Sequence, residues 1–204
     1  MANIAVGGFR WVRSRLGGNT APVEEMPVAS NNSTAIFTGD IVKRVSDGTV
    51  IVAAAGDLTL AYVVVGVVRY KRSDGAIVAG NYLPASTTYT GAPAVSNPQA
   101  SILSLIPTQY QIFECDANTA AASITAAQDL VGNNCDFVAT AGNASSGRSG
   151  FVLDTSSPGT ATANWRVLDI VNSPDNDVTS VNYKVRVTVN EDNADTVPGS
   201  ATGV

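Results

Sequence analysis

Apolar and polar positions alternate in short runs along most of this chain, and glycine, proline, asparagine and aspartate separate the runs. A period of two puts successive side chains on opposite faces of a strand, so the pattern predicts an all-β protein. Residues 36–45 and 50–55 are two β-rich runs joined by Ser46-Asp47-Gly48-Thr49. The Asp-Gly pair supplies the positive φ that a tight hairpin turn needs. Residues 58–72 hold Val63-Val64-Val65-Gly66-Val67-Val68, a run without alternation that reads as a central strand buried on both faces, with Gly66 marking a bulge or bend. Further strands are expected at 110–115, 150–154, 163–171 and 182–190, the last alternating cleanly through Tyr183-Lys184-Val185-Arg186-Val187-Thr188-Val189. Residues 123–131, rich in alanine and stopped by Gly132-Asn133, are the one predicted helix.

Between these runs the pattern fails in three places. Residues 1–34 are broken by Gly7-Gly8, Gly17-Gly18, Pro22 and Pro27 and read as an extended N-terminal arm. Residues 81–100, with Pro84, Pro93 and Pro98, read as a crossover loop, and 192–204 as a loose tail. The expected architecture is two small linked β units, barrel or sandwich/tulip-like, at 35–100 and 101–191, with the junction inside 81–105. In the arm, Arg10, Arg13 and Arg15 alternate with Trp11, Val12 and Leu16. One reading makes this a strand that packs Phe9 and Trp11 on its own core and leaves the arginines in water. The other makes it a docking arm that orders on a neighbour, with Phe9, Arg10, Trp11, Arg13 and Arg15 as partner-binding residues. Under the second reading residues 1–30 are dispensable for the β core.

Composition excludes more than it selects. With 204 residues and 45% hydrophobic content the chain is long enough to bury a sizeable core without metal or disulfide staples. It has no histidine, which argues against triad hydrolases and histidine-based metal sites. Residues 1–75 carry 8 basic and 6 acidic side chains, and residues 76–204 carry 4 and 11. A net charge of −5 with scattered cations argues against nucleic acid, which needs a concentrated basic face. Nine of the twelve cations are arginine, the better interface cation, which points to a protein partner. Cys115 and Cys135 lie outside any C-x-x-C motif and read as two buried thiols, with a bridge between neighbouring strands as the alternative. No secretory signal or membrane span is visible, so a soluble protein made in the cytoplasm is expected.

Candidate chemistry is sparse. Asp175-Asn176-Asp177 after Pro174 lacks the twelve-residue calcium-loop pattern and reads as a turn. Glu24-Glu25 are neighbours that point opposite ways in an extended segment. Gly39-Asp40 and Gly56-Asp57 read as turns, and Gly7-Gly8 and Gly17-Gly18 lack the helix and the Lys-Ser/Thr of a phosphate loop. No catalytic residue, cofactor or metal is expected.

Gly8-Phe9-Arg10, Ala29-Ser30, Thr34-Ala35-Ile36-Phe37-Thr38-Gly39-Asp40-Ile41-Val42 and Ala54-Ala55-Gly56-Asp57 resemble, in that order, a family of small structural proteins of tailed bacteriophages. The order continues through Tyr110-Gln111-Ile112, Asp129-Leu130-Val131-Gly132-Asn133-Asn134, Ser146-Gly147-Arg148-Ser149, Leu153-Asp154, Trp165-Arg166-Val167-Leu168, Pro174-Asp175-Asn176 and Val185-Arg186-Val187-Thr188-Val189-Asn190, so it touches most of residues 8–190. Their succession carries the resemblance. Cys115, Cys135 and Arg69-Tyr70-Lys71-Arg72 match nothing in that pattern. The first half is similar to capsid decoration, or cement, proteins. The resemblance implies a structural virion protein, not an enzyme, that binds the outside of an icosahedral phage head and stabilises it by bridging capsid subunits. Its implied partners are the major capsid protein and further copies of itself, a trimer in preference to a dimer, with no nucleic acid and no membrane. The implied location is the capsid exterior after synthesis in the bacterial host cytoplasm. The alternative is a host-surface or carbohydrate-binding virion module, with Trp165, Tyr82 and Tyr89 as its aromatic platform.

Overall fold

The computed structural model describes residues 3–29, 32–57, 62–72, 74–85, 101–159 and 163–190. Their architecture is all-β, in several sheets, with one short helix. The first large sheet runs β1 (Arg10–Ser14), β10 (Gln111–Asp116), β14 (Lys184–Val189), β13 (Trp165–Ile170), β11 (Asn134–Val138) and β12 (Val152–Asp154). The second runs β2 (Glu24–Pro27), β9 (Ile102–Pro107), β6 (Tyr62–Lys71), β4 (Ile41–Arg44) and β5 (Val50–Val52), with β7 (Ile77–Gly80) beside the far half of β6. A small ladder joins β3 (Ile36–Phe37) to β8 (Tyr82–Leu83). All these pairings are antiparallel.

The period-two pattern is realised most plainly in β14, where Val185 and Val187 are buried and Lys184 and Arg186 are half-buried. In β6 the adjacent Val63 and Val64 are both fully buried, so both faces of the near half are covered. Its pairing with β9 slips between Val64 and Gly66 and again between Val67 and Arg69, as expected where a glycine interrupts a strand. Val63, Ile41 and Ile106 of the second sheet enter the same apolar cluster as Phe113, Cys115, Phe137, Trp165, Val185 and Val187 of the first. Val42, Val64, Leu103 and Leu105 face the other way, into a second cluster with Ile36 and Leu83. Cys115 and Cys135 are buried free thiols. The helix, α1 (Ile124–Gln128), is shorter than the sequence suggests; Ser123 caps it by accepting the Ala126 N–H at 3.2 Å.

Three expectations need correction. First, residues 1–34 are no free arm. β1 pairs with β10, Phe9 is 2% exposed and stacks on Trp165 at 4.6 Å, and Val28 and Ala29 are buried, as in the reading that packs Phe9 and Trp11 on the chain's own core. The apolar side chains of this segment outweigh its breakers because they meet strands more than a hundred residues away. Second, the chain changes sheets between β9 and β10, after Pro107, and not at residue 100, because β9 completes the ladder beside β6. Third, residues 36–45 are two strands and not one run, split at the Gly39-Asp40 turn that the sequence marks. Gly39 has φ +95°, and the Asp40 carboxylate accepts the Phe37 N–H at 2.8 Å, which closes a turn between β3 and β4. The loop positions 86–100 and the tail from 191 lie outside the described residues.

That turn is crossed by two other segments. The Phe9 N–H donates to Gly39 O at 2.9 Å, the Gly39 N–H to Val64 O at 2.8 Å, and the Ser149 N–H to Thr38 O at 2.9 Å. A Cβ on Gly8 would lie 2.5 Å from Ser149 Cβ and 2.6 Å from Gly39 O, and Gly8 has φ +85°. Gly8→Ala should therefore cost about 2–4 kcal/mol, through overlap added to left-handed strain. Gly17, at φ +87° with open space around its Cβ position, is the control, and there alanine should cost only about 1–2 kcal/mol. Urea denaturation of the two variants checks this; equal losses would contradict the crossing.

Candidate functional site

The N-terminal segment forms one wall of a cleft of about 1140 Å³. Asn3 fixes its start: the side-chain amide donates to Asp177 O at 2.8 Å and Val181 O at 3.1 Å, and its oxygen accepts the Asp177 N–H at 2.9 Å. Three residues on, the Asp116 carboxylate accepts the N–H of Val6 at 2.6 Å and of Gly7 at 3.4 Å. Between the two anchors Ile4 is left 83% exposed at the rim. The opposite walls come from Thr38 and Gly39 of the crossed turn, Val64 and Val65 of β6, Ile106 of β9, and the loop that follows β13. In that loop the Asn176 side chain donates to Val171 O at 2.8 Å and Lys184 O at 3.0 Å and accepts the Lys184 N–H at 2.6 Å. Asp175 and Asp177 thus stand at the cleft because a hydrogen-bonded turn holds them there.

The cleft has an apolar floor and a charged rim. Arg10, Arg148 and Lys184 bring three cations, and Glu114, Asp175 and Asp177 bring three carboxylates. Arg10 pairs with the largely buried Glu114 at 2.6 Å. The stem of Arg148 lies against Gly7, where a Cβ would come within 3.0 Å of it. Among the described residues no three His, Cys, Asp or Glu side chains are grouped to hold a metal ion.

The five sequence-predicted partner residues separate here. Arg10 and Trp11 reach the cleft, and Trp11 is held by donating its Nε1–H to Gln111 Oε1 at 2.8 Å. Phe9 lies at the floor, but its ring is spent on Trp165, so it offers a partner almost no surface. Arg13 and Arg15 are exposed beyond the rim. The sequence reading assigned Ile4, Val65, Glu114, Arg148, Asp175 and Lys184 to no site and took Asp175 as part of a turn; the six are gathered from distant segments. The aromatic platform is a correction too. Trp165 is fully buried between Phe9 and Phe113, and Tyr82 is half-buried and stacked on Phe37 at 5.2 Å. Tyr89 lies outside the described residues. No family model, curated protein or solved structure matches this chain.

Two carboxylates at the cleft's back are out of their usual range. Burial pushes Asp40 up to about 6, with the Phe37 amide opposing part of the rise. Burial also pushes Asp116 up to about 6, against the pull of the Val6 and Gly7 amides and of Lys184. Folding therefore favours their protonated forms. That stability is fully present below the unfolded carboxyl pKa near 4 and is lost as pH rises through about 6. Asp47, Asp154 and Asp177, lowered chiefly by hydrogen bonds from Thr49, Ser156 and Thr179, act the other way and only below that window. Urea midpoints should fall between pH 4.5 and pH 7.5, with Asp40 alone contributing about 2–3 kcal/mol, and Asp40→Asn should flatten the slope. A midpoint that rises over this range would contradict the assignment.

Proposed function

We propose that this chain is a structural virion protein without enzymatic activity, which binds the outer surface of an icosahedral phage capsid and stabilises it by bridging capsid subunits. The observation that carries the reading is the open cleft, whose rim sets three cations beside three carboxylates around an apolar floor. Such a surface suits another folded protein, a capsid subunit or a further copy of this chain on the lattice: alternating charge gives register, and the apolar floor gives burial. At about 1140 Å³ it exceeds the usual range for a small ligand, about 300–1000 Å³. The resemblance of the ordered motifs to those of phage structural proteins suggests the class of partner, the major capsid protein. Binding at the capsid exterior follows synthesis in the host cytoplasm. Many identical weak contacts on a symmetric lattice add through multivalency, so each copy needs only a modest interface.

The finer architecture fits the same role. We infer that each large sheet curls towards a small barrel. Val28, just past β2, bridges Val50 in β5, and Ala117, just past β10, bridges Leu153 in β12. The first bridge joins the two ends of the second sheet's strand order, and the second joins the last strand of the first sheet to the neighbour of β1, so each sheet turns back on itself and leaves less open edge to invite aggregation at high local concentration.

The test is to mix the purified protein with undecorated phage heads, sediment the mixture, and image the heads. Co-sedimentation with ordered density at symmetric capsid positions is expected. Heads that stay bare at saturating protein would sink the reading.

A further inference from the structure

The segment between β1 and β2 stands away from the rest of the chain. Residues 15–20 and 22–25 are exposed, and Cβ positions on Gly17 and Gly18 have no atom within 4 Å. Leu16 is 76% exposed and Val23 53% exposed on this lobe. At the lobe's base β1 carries a bulge between Trp11 and Arg13, and bulges re-aim side chains. Arg13 is exposed, and its guanidinium has no partner among the described residues. The cleft presents the complement. Ile4, 83% exposed, and Val65, 38% exposed, offer apolar surface, and the exposed Asp175 carboxylate likewise has no partner among the described residues.

We propose that the occupant of the cleft is a second copy of this chain, whose lobe at residues 15–23 enters it. Leu16 packs against Ile4 and Val65, and Arg13 pairs with Asp175. Ala21, on the same lobe, lines the cleft of its own chain, so lobe and cleft share one continuous surface. A surface that carries both a projection and its matching hollow is self-complementary, the arrangement a two-fold axis generates, with two equal insertions per dimer. The cleft is incomplete without the second copy's Leu16 and Arg13. This dimer takes the place of the trimer expected from the sequence. It rests on the proposed reading of the cleft as a docking surface for a folded protein, and not on capsid binding.

Sedimentation velocity on the full chain from about 1 to 100 µM tests it, with circular dichroism to check folding. The three positions to be changed are exposed, so the fold should survive each substitution. The wild type should sediment as a dimer, and Leu16→Glu should weaken association at least about tenfold. Arg13→Asp and Asp175→Arg should each weaken it several-fold, the double variant should recover most of the loss, and added salt should weaken the wild type. A monomer at the highest concentration would overturn the proposal. So would a Leu16→Glu chain that dimerises like the wild type, or a double variant no tighter than its singles. A monomer that decorates heads would sink this proposal alone, and a dimer that leaves heads bare would sink only the capsid reading.

Discussion

Everything in this molecule depends on one close approach, where residues 7–9, 37–40 and 147–149 cross with no room for a side chain at Gly8. The Gly39 turn accepts the Phe9 N–H and donates to Val64, while Thr38 beside it accepts Ser149. These short backbone bonds tie the start of the chain, the second sheet and the loop before β12 to one point. Because Gly8 is pinned, Phe9 is delivered onto Trp165, and Trp165 in turn meets Phe113 edge-on at 5.7 Å. The apolar cluster shared by the two large sheets grows from that contact. The cleft follows as well, since Thr38, Gly39, Gly7 and Arg148 are the crossing seen from outside.

The crossing also explains where charge is buried. A chain that brings its first residues over a sheet leaves their N–H groups without water, and the Asp116 carboxylate accepts those of Val6 and Gly7. Asp40 does the same for Phe37 inside the turn. Two carboxylates thus sit in the interior, where burial makes their ionisation unfavourable although the N–H groups they accept oppose it, and this couples the N-terminal wall of the cleft to pH. Arg10 reaches the largely buried Glu114 from the exposed face and pairs with it at 2.6 Å. The cleft joins an apolar floor to a mixed rim because the groups that anchor its walls are themselves charged.

Local chemistry was legible in the sequence. The hairpin at Asp47-Gly48 forms with β4 and β5, Gly66 interrupts the pairing of β6, the alternation of β14 reports its buried face, and Ser123 caps a helix. What escaped was partnership across distance. Phe9 and Trp11 were visible as apolar residues in a segment full of breakers, yet whether they serve a partner or the chain's own core is decided by Trp165 and Gln111, far along the chain. The same holds for β9, whose apolar run follows a proline-rich stretch of sequence but pairs back to β6. Of the cleft, Arg10 and Trp11 could be named because they are close in sequence to other cations and aromatics. Arg148, Lys184 and Asp175 could not, because each sits in an ordinary turn or strand and gains meaning only when the crossing brings it to the rim.

The central claim is that the N-terminal segment makes the two sheets one cooperative unit, and native-state hydrogen exchange on Phe9→Leu measures that directly. The substitution removes the ring stack but keeps an apolar side chain, so the protein should stay folded and lose about 1–2 kcal/mol. If the account is right, the slowest amides of β13 and β14 in the first sheet and of β4 and β6 in the second lose protection by the same free energy. Loss confined to β1 and β10, with β4 and β6 unchanged, would contradict it.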